Sequence, residues 1–251
     1  MTGSVCAVIP AAGRGTRLGL DVPKIMLEVA DGVTVWHLLH RRLRPSTGHV
    51  HVIVAPEAEG PFRRLAAGDI GRGTVSVSVQ HEPTGMGDAV FGASGYWESH
   101  DGILVVWGDQ ANLSETTVRR VVDAHLRAPG LTVPLVPMPD PYVEYELAGG
   151  RLLRVRQSRE GDDCRPGGLS DVGVFCLGTD GLETAWRDYL AGAARGTVTG
   201  EVNFLPFLAY LSQVRGRDVN PVHVDDPDEA RGINTAEDLA FARRVHAGRA
   251  G

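Results

Sequence analysis

The apolar run Val5-Cys6-Ala7-Val8-Ile9 passes straight into Pro10-Ala11-Ala12-Gly13-Arg14-Gly15-Thr16-Arg17-Leu18-Gly19, and Asp21-Val22-Pro23-Lys24 follows. A short apolar run reads as a buried strand, and the small residues and glycines after it free the backbone to wrap closely around a ligand. Backbone N–H groups in such a turn make an anion-binding concavity, to which Arg14, Arg17 and Lys24 add cationic side chains. A strand that ends in a loop built for a polyanion points to an α/β chain. The loop lacks the Gly-Lys-Ser/Thr of a P-loop. It also departs from the dinucleotide fingerprint, because Leu18 stands where a third glycine or alanine belongs and Glu57 lies too far along to be the ribose-binding carboxylate.

Two more junctions repeat the pattern. Val75 to Gln80 alternates like a strand and leads through His81-Glu82-Pro83-Thr84-Gly85 into a helix expected from about Met86 to Trp97. Gln80 offers a donor and an acceptor to a base edge, and Gly85 lets a flat ring approach the backbone; the alternative is a capped helix beside a solvated glutamine. Ile103 to Trp107 is a buried strand that stops at Gly108-Asp109. Ligands of parallel sheets gather at the carboxyl ends of strands, so Asp109 faces a cleft, where its carboxylate suits Mg²⁺. Ser114 supplies the cap of the next helix, Glu115 to Ala128, which makes a capping role for Asp109 redundant.

Between and beyond these junctions, helical spacing marks Thr34 to Leu43, Pro61 to Ala67, Thr179 to Leu190 and a helix from Gly200 to about Val214. Strands are expected at Ile25 to Val29, Val50 to Val54, Leu131 to Pro137, Asp171 to Leu177 and Val219 to Val224, with a hairpin turning at Gly149-Gly150 and returning along Leu152 to Gln157. Arg159 follows that hairpin and suits either an acceptor phosphate or phosphonate, or solvent. Thr235 and Asp238 mark the start of a last helix, Ala236 to about His246, and leave Asn234 as a cap or as something else.

The 251 residues, 43% of them hydrophobic, suffice for one α/β domain with a substantial core. A net charge of −6 argues against general affinity for nucleic acid or anionic membrane. Three widely spaced cysteines make neither a disulfide framework nor a zinc site. With no cationic, apolar leader and no apolar run of membrane-spanning length, the cytoplasm is the expected compartment.

Ala11-Ala12-Gly13-x-Gly15-Thr16-Arg17-Leu18 followed by Pro23-Lys24 resembles the signature of the nucleotidyltransferases that make nucleotide-activated sugars, especially the uridylyltransferase half of the bacterial N-acetylglucosamine-1-phosphate enzyme. The resemblance covers Val5 to about Arg244. It implies a Rossmann-like three-layer α/β/α nucleotide-diphospho-sugar transferase fold, with a mixed, mainly parallel sheet and a small acceptor-binding β lobe. The single domain would divide into a nucleotide-binding part (about 1–112), an acceptor-binding part (about 113–234) and a C-terminal helix (about 235–247).

By the same resemblance, Ala11, Ala12, Gly13, Arg14, Gly15 and Thr16 hold the triphosphate together with Arg17, and Lys24 bridges nucleotide and acceptor phosphates. Gln80, Gly85 and Met86 occupy the base-recognition segment, with Met86 replacing the family's threonine. Asp109 holds Mg²⁺, and Gly232-Ile233-Asn234 closes the metal site. In the acceptor lobe an acidic residue near Gln157 and an asparagine at the position of Asp171 contact sugar hydroxyls in the family; this chain differs at both positions, which keeps the acceptor open.

The expected reaction joins an NTP, with UTP or CTP favoured, to a phosphorylated small molecule and releases pyrophosphate. A sugar 1-phosphate is the leading acceptor, and a cytidylyltransferase acting on a phosphonate or alcohol phosphate is the alternative. A glycosyltransferase of similar fold, which would use a ready-made sugar nucleotide, is a rival reading. A non-catalytic nucleotide sensor would not need both Asp109 and Asn234.

Overall fold

The computed structural model describes residues 3–13, 22–82, 84–196 and 200–249. Strand β1 (Val5–Ala11) lies at the centre. Its alternate side chains enter opposite apolar layers, Val5, Ala7 and Ile9 on one face and Cys6 and Val8 on the other, so a continuous apolar run is what a strand covered on both faces requires. It is flanked by two parallel strands, β4 (His49–Val54) and β6 (Gly102–Val106). With β2 (Glu28–Ala30) and β3 (Val33–Thr34) forming a separate small hairpin, the main sheet takes eight strands. Beyond β4 comes β5 (Val75–Val79); beyond β6 come β11 (Val174–Gly178), β7 (Leu131–Pro137) and β10 (Leu169–Asp171), and β12 (Val219–His223) also pairs with β7. Strands β10 and β11 run against the rest, so the sheet is mixed and mainly parallel.

Helices cover both faces. On one side α1 (Val35–Leu43), α2 (Pro56–Leu65) and the short α3 (Ala67–Gly71) share a layer with α5 (Glu115–Arg127) and α8 (Ala236–Arg249). On the other, α4 (Met86–Gly92) packs with α6 (Leu182–Gly192) and α7 (Phe204–Gln213) around Phe91, Trp97, Trp186 and Phe207. The hairpin of β8 (Val143–Ala148) and β9 (Arg151–Gln157) forms a sheet of its own. Its turn uses Gly149 and Gly150, both at positive φ as a tight hairpin demands. The Ser212 hydroxyl of α7 accepts from the Leu152 N–H, and the Arg151 guanidinium donates to the Ser212 carbonyl, which fasten the hairpin to α7. Among the described residues no helix is long and apolar enough to cross a membrane.

Four elements differ from expectation for local reasons. Lys24–Met26 is a single 3₁₀ turn rather than extended chain, because the Met26 N–H reaches back to the Pro23 carbonyl. Helix α2 begins at Pro56 instead of Pro61; proline suits a first helical turn, and Glu57 and Glu59 favour the positive end of the dipole. Helix α4 stops at Gly92 before a short 3₁₀ turn, Ser94–Tyr96. The strand expected over Asp171 to Leu177 is broken, since Gly173 takes φ 72° and divides β10 from β11.

The core also carries a pH liability. His51 on β4 is fully buried, with both ring nitrogens hydrogen-bonded to the Ser76 and Ser78 hydroxyls; burial, helped by neighbouring His49, pushes its pKa down to about 4. His125 on α5 is pushed to about 4 by burial and then by Arg217. The unfolded chain takes up these protons near 6.5, before the folded one, so stability is full above that pH and falls on acidification towards 4. Each histidine costs about 2 kcal/mol at pH 5. Asp171, raised to about 6 mainly by burial, works oppositely and returns about 1 kcal/mol. Urea unfolding at pH 7 and pH 5 is therefore expected to show a net loss of about 2–3 kcal/mol at the lower pH. A His51→Gln/His125→Gln variant that keeps the full slope would contradict this origin.

Candidate active site

The carboxyl ends of β1, β5 and β6 converge on one edge of the sheet. Gly108 permits a tight approach there, since a Cβ on it would stand 3.1 Å from the Ala11 Cβ. That close approach sets Asp109 beside the loop that leaves β1. Ala12 is buried, Ala11 is partly exposed and Gly13 is exposed. Arg14, Gly15, Thr16 and Arg17 lie outside the described residues.

Lys24 reaches this edge from the 3₁₀ turn that follows the loop. Its ammonium donates to Asp109 Oδ2 at 2.9 Å and to Asn234 Oδ1 at 2.7 Å. Residues separated by 85 and 210 positions thus meet at one cation. The Lys24 and Asp109 side chains keep 22% and 17% of their surface exposed, so the cluster lines a cleft instead of closing a core.

Backbone contacts hold both oxygen donors. The Ile233 N–H donates to the Asp109 carbonyl at 3.0 Å, and Gly232 lies close behind, since a Cβ there would be 3.1 Å from Asp109 Oδ1 and 3.2 Å from Gln110 Nε2. The Asp238 carboxylate takes the N–H groups of Asn234 and Thr235, while the Thr235 hydroxyl accepts from the Asp238 N–H at 3.2 Å. That reciprocal pair is a capping box centred on Thr235. Asn234 therefore leaves helix capping to its neighbour, and its carboxamide oxygen turns to Lys24. Arg231 donates to Asp238 at 2.7 Å, a partner that together with Thr235 and two backbone N–H groups outweighs burial and lowers the carboxyl pKa.

Other supports had no sequence signal. Glu229, almost fully buried, accepts from the Ser114 N–H and the Thr117 hydroxyl, tying the segment before Gly232 to the start of α5. Asn112 donates to the Arg231 carbonyl at 2.9 Å, and Arg42 of α1 donates to the Ala111 carbonyl at 2.6 Å. These contacts fix the loop behind Asp109 from two sides.

At the end of β5, Gln80 folds its carboxamide inward, and Nε2 donates to the Gly85 carbonyl at 3.1 Å. Gly85 sits at φ 122°, a conformation that favours glycine, and Met86 opens α4 while packing partly on the apolar layer. The start of α4 is held by Trp186: a Cβ on Gly87 would come within 2.1 Å of the indole. That ring stacks on Phe91 at 4.8 Å and meets Phe207 edge-on at 5.0 Å, so it has nowhere to move. Gly87→Ala is expected to cost about 1–3 kcal/mol from overpacking, more than the roughly 1 kcal/mol of helix propensity that alanine adds. A lowered midpoint in urea is the check.

In the β8–β9 lobe, Gln157 ends β9 with its N–H on Asp162, and Arg159 is exposed on the following 3₁₀ turn. Among the described residues no hydrogen bond or ion pair joins either to Lys24, Asp109 or Asn234. Asp171 is buried, accepts from the Gly173 N–H at 2.6 Å and faces the buried Tyr145 hydroxyl, whose own pKa is raised by burial and by that carboxylate. Burial raises the pKa of neighbouring Glu144, but the backbone N–H and guanidinium of Arg165, with Arg156, outweigh it and leave the group lowered.

Residues 7–162 match the MobA-like NTP transferase domain family, well over half of the chain. Two curated proteins named bifunctional protein GlmU, from Mycobacterium ulcerans and Mycobacterium marinum, are each 28% identical over 252 aligned positions. The alignments cover 95% of this chain but 49% of each relative, so the chain spans about half their length. A Bacillus anthracis protein designated a glucose-1-phosphate thymidylyltransferase, solved in complex with sucrose, superposes with a TM-score of 0.76 at 14% identity, covering 96% of this chain and 95% of that one, and shares the fold. The fold and the family match agree with the signature around Gly13 and Lys24: the chain belongs to the MobA-like NTP transferase domain family and is a nucleotidyltransferase.

Proposed function

We propose that this nucleotidyltransferase joins an NTP to a small molecule that already carries a phosphate, with a sugar 1-phosphate as the leading acceptor, and releases pyrophosphate. The observation that carries the reading is the convergence of Lys24, Asp109 and Asn234 at the end of the central strands. An acceptor oxygen forms a bond to the α-phosphorus while the bond to the β-phosphate bridge breaks. Since that oxygen is already anionic, the site needs no general base. It needs positioning and relief of charge.

In this reading the loop from Ala11 to Thr16 and Arg17 hold the triphosphate, and Lys24 shields charge between the nucleotide and acceptor phosphates. A carboxylate and a carboxamide oxygen aimed at one cation are the hard donors that Mg²⁺ takes, and the Lys24 ammonium between them is a stand-in ion, so the residues fit the metal. When bound there, Mg²⁺ would supply Lewis-acid charge neutralisation at the phosphates. Gln80, Gly85 and Met86 form the base-recognition segment, and the resemblance to a uridylyltransferase supports UTP or CTP. The nucleotide part would span about 1–112 and the acceptor part about 113–234, with Gln157, Arg159 and Asp171 among the acceptor contacts.

A second reading, a cytidylyltransferase for a phosphonate or alcohol phosphate, draws on the lobe itself. The Asp171 carboxyl is turned against Tyr145 and Gly173, where an asparagine would offer sugar hydroxyls an amide. Pyrophosphate release measured for each common NTP against a panel of sugar 1-phosphates, phosphonates and alcohol phosphates, with Mg²⁺ omitted as control, separates the two. Release with no acceptor of either class would defeat both.

A further inference from the structure

We infer that Lys24 is a resident counter-cation that holds the metal ligands against free divalent ions until a nucleotide triphosphate draws it away. The inference rests on the reading of Asp109 and Asn234 as metal ligands. One oxygen of each, Asp109 Oδ2 and Asn234 Oδ1, is engaged by the same ammonium, at 2.9 and 2.7 Å. The Asn234 oxygen is set in this direction by its backbone N–H on Asp238 and its amide nitrogen near the Gly232 carbonyl, and Asp109 is held by Ile233 and the tight approach of Gly232.

A divalent ion competes with Lys24 for those oxygens. Its ligand distances of about 2.0–2.1 Å would bring a doubly charged centre against an ammonium in a site partly shielded from water. Lys24 must leave first; among the described residues the hydrogen-bond partners of its ammonium are Asp109 and Asn234 themselves. The triphosphate supplies another. Metal and nucleotide binding are then coupled, and by reciprocity each strengthens the other. The coupling leaves the metal ligands neutralised and ordered while the enzyme waits for substrate.

The test is Mn²⁺ binding to nucleotide-free protein, followed by the electron paramagnetic resonance of the unbound ion. Wild type is expected to bind weakly, Lys24→Met to bind about tenfold or more tightly, and Lys24→Arg, which keeps the charge, to stay near wild type. Lys24→Gln serves as a second neutral variant if the methionine protein does not fold. Equal or weaker Mn²⁺ binding by the neutral variant overturns the inference. Asp109→Ala added to the neutral variant tells the two readings apart: loss of the tight site supports both, whereas tight binding that survives places the ion elsewhere and defeats the metal-ligand reading as well. Should Asp109→Ala weaken binding in wild type while neutralising Lys24 changes nothing, the ligand reading stands and the counter-cation role falls.

Discussion

Asp109→Ala is expected to lower the rate of nucleotidyl transfer by about 10²- to 10³-fold, the usual cost of removing one group that stabilises charge in a transition state. Asp109 stands where β6 gives out, at an edge that Ala11 approaches closely, 3.1 Å from where a Cβ at position 108 would stand. The carboxylate is thus presented to the cleft by backbone on both sides, with its carbonyl pinned by the Ile233 N–H. Its removal should barely disturb the fold. The Lys24–Asp109 pair keeps 22% and 17% of its side-chain surface, and an ion pair that accessible is worth about 0–1 kcal/mol once solvent screening is counted. Asp109→Asn separates charge from shape: it keeps the volume and one oxygen but cannot neutralise a cation, so it should be nearly as slow. The measurement is pyrophosphate release at saturating substrates, beside urea unfolding of each variant. Near-normal turnover in Asp109→Ala would remove this carboxylate from the mechanism.

The sequence made the sheet legible wherever burial alone decides structure. Val5 to Ile9 and Ile103 to Val106 are apolar at every step because helices cover both faces, and that pattern is visible without coordinates. It fails where a single backbone angle decides. Asp171 to Leu177 has the composition of one strand, yet the positive φ of Gly173 divides it, and the turn sets the Asp171 carboxyl on the Gly173 N–H. Tyr145 carried no motif, and neither did Glu229 or Arg42. Their roles come from burial beside distant chain, which local pattern does not encode.

The site shows the same division. Asn234 read equally as a helix cap from its position before Ala236; only the Thr235–Asp238 pair, which fills the cap, releases its side chain for Lys24. That Asp109 and Asn234 share the Lys24 ammonium follows from strand order: β1 and β6 are neighbours, and α8 packs in the layer behind them. The family resemblance implies that these residues serve one site. The sheet brings them within hydrogen-bonding distance.

Lys24→Ala is expected to be as damaging as the loss of Asp109, about 10²- to 10³-fold in kcat, with the KM for the NTP moved much less. The split follows from where the charge is needed. Ground-state triphosphate also has the glycine loop and Arg17 in the proposed site, but charge that develops between acceptor and leaving pyrophosphate needs a cation that can follow it. A flexible ammonium does this, and a planar guanidinium does not, so Lys24→Arg should recover only part of the rate. The double variant Lys24→Ala/Asp109→Ala supplies the sharper comparison. Two groups that act independently on the transition state would multiply their losses, to about 10⁴-fold or beyond. Lys24 and Asp109 are hydrogen-bonded partners in the free protein and would serve the same phosphates in the complex, so the double variant should be about as slow as the slower single variant. Full multiplicativity in that cycle would mean that the 2.9 Å contact joins two groups with separate tasks.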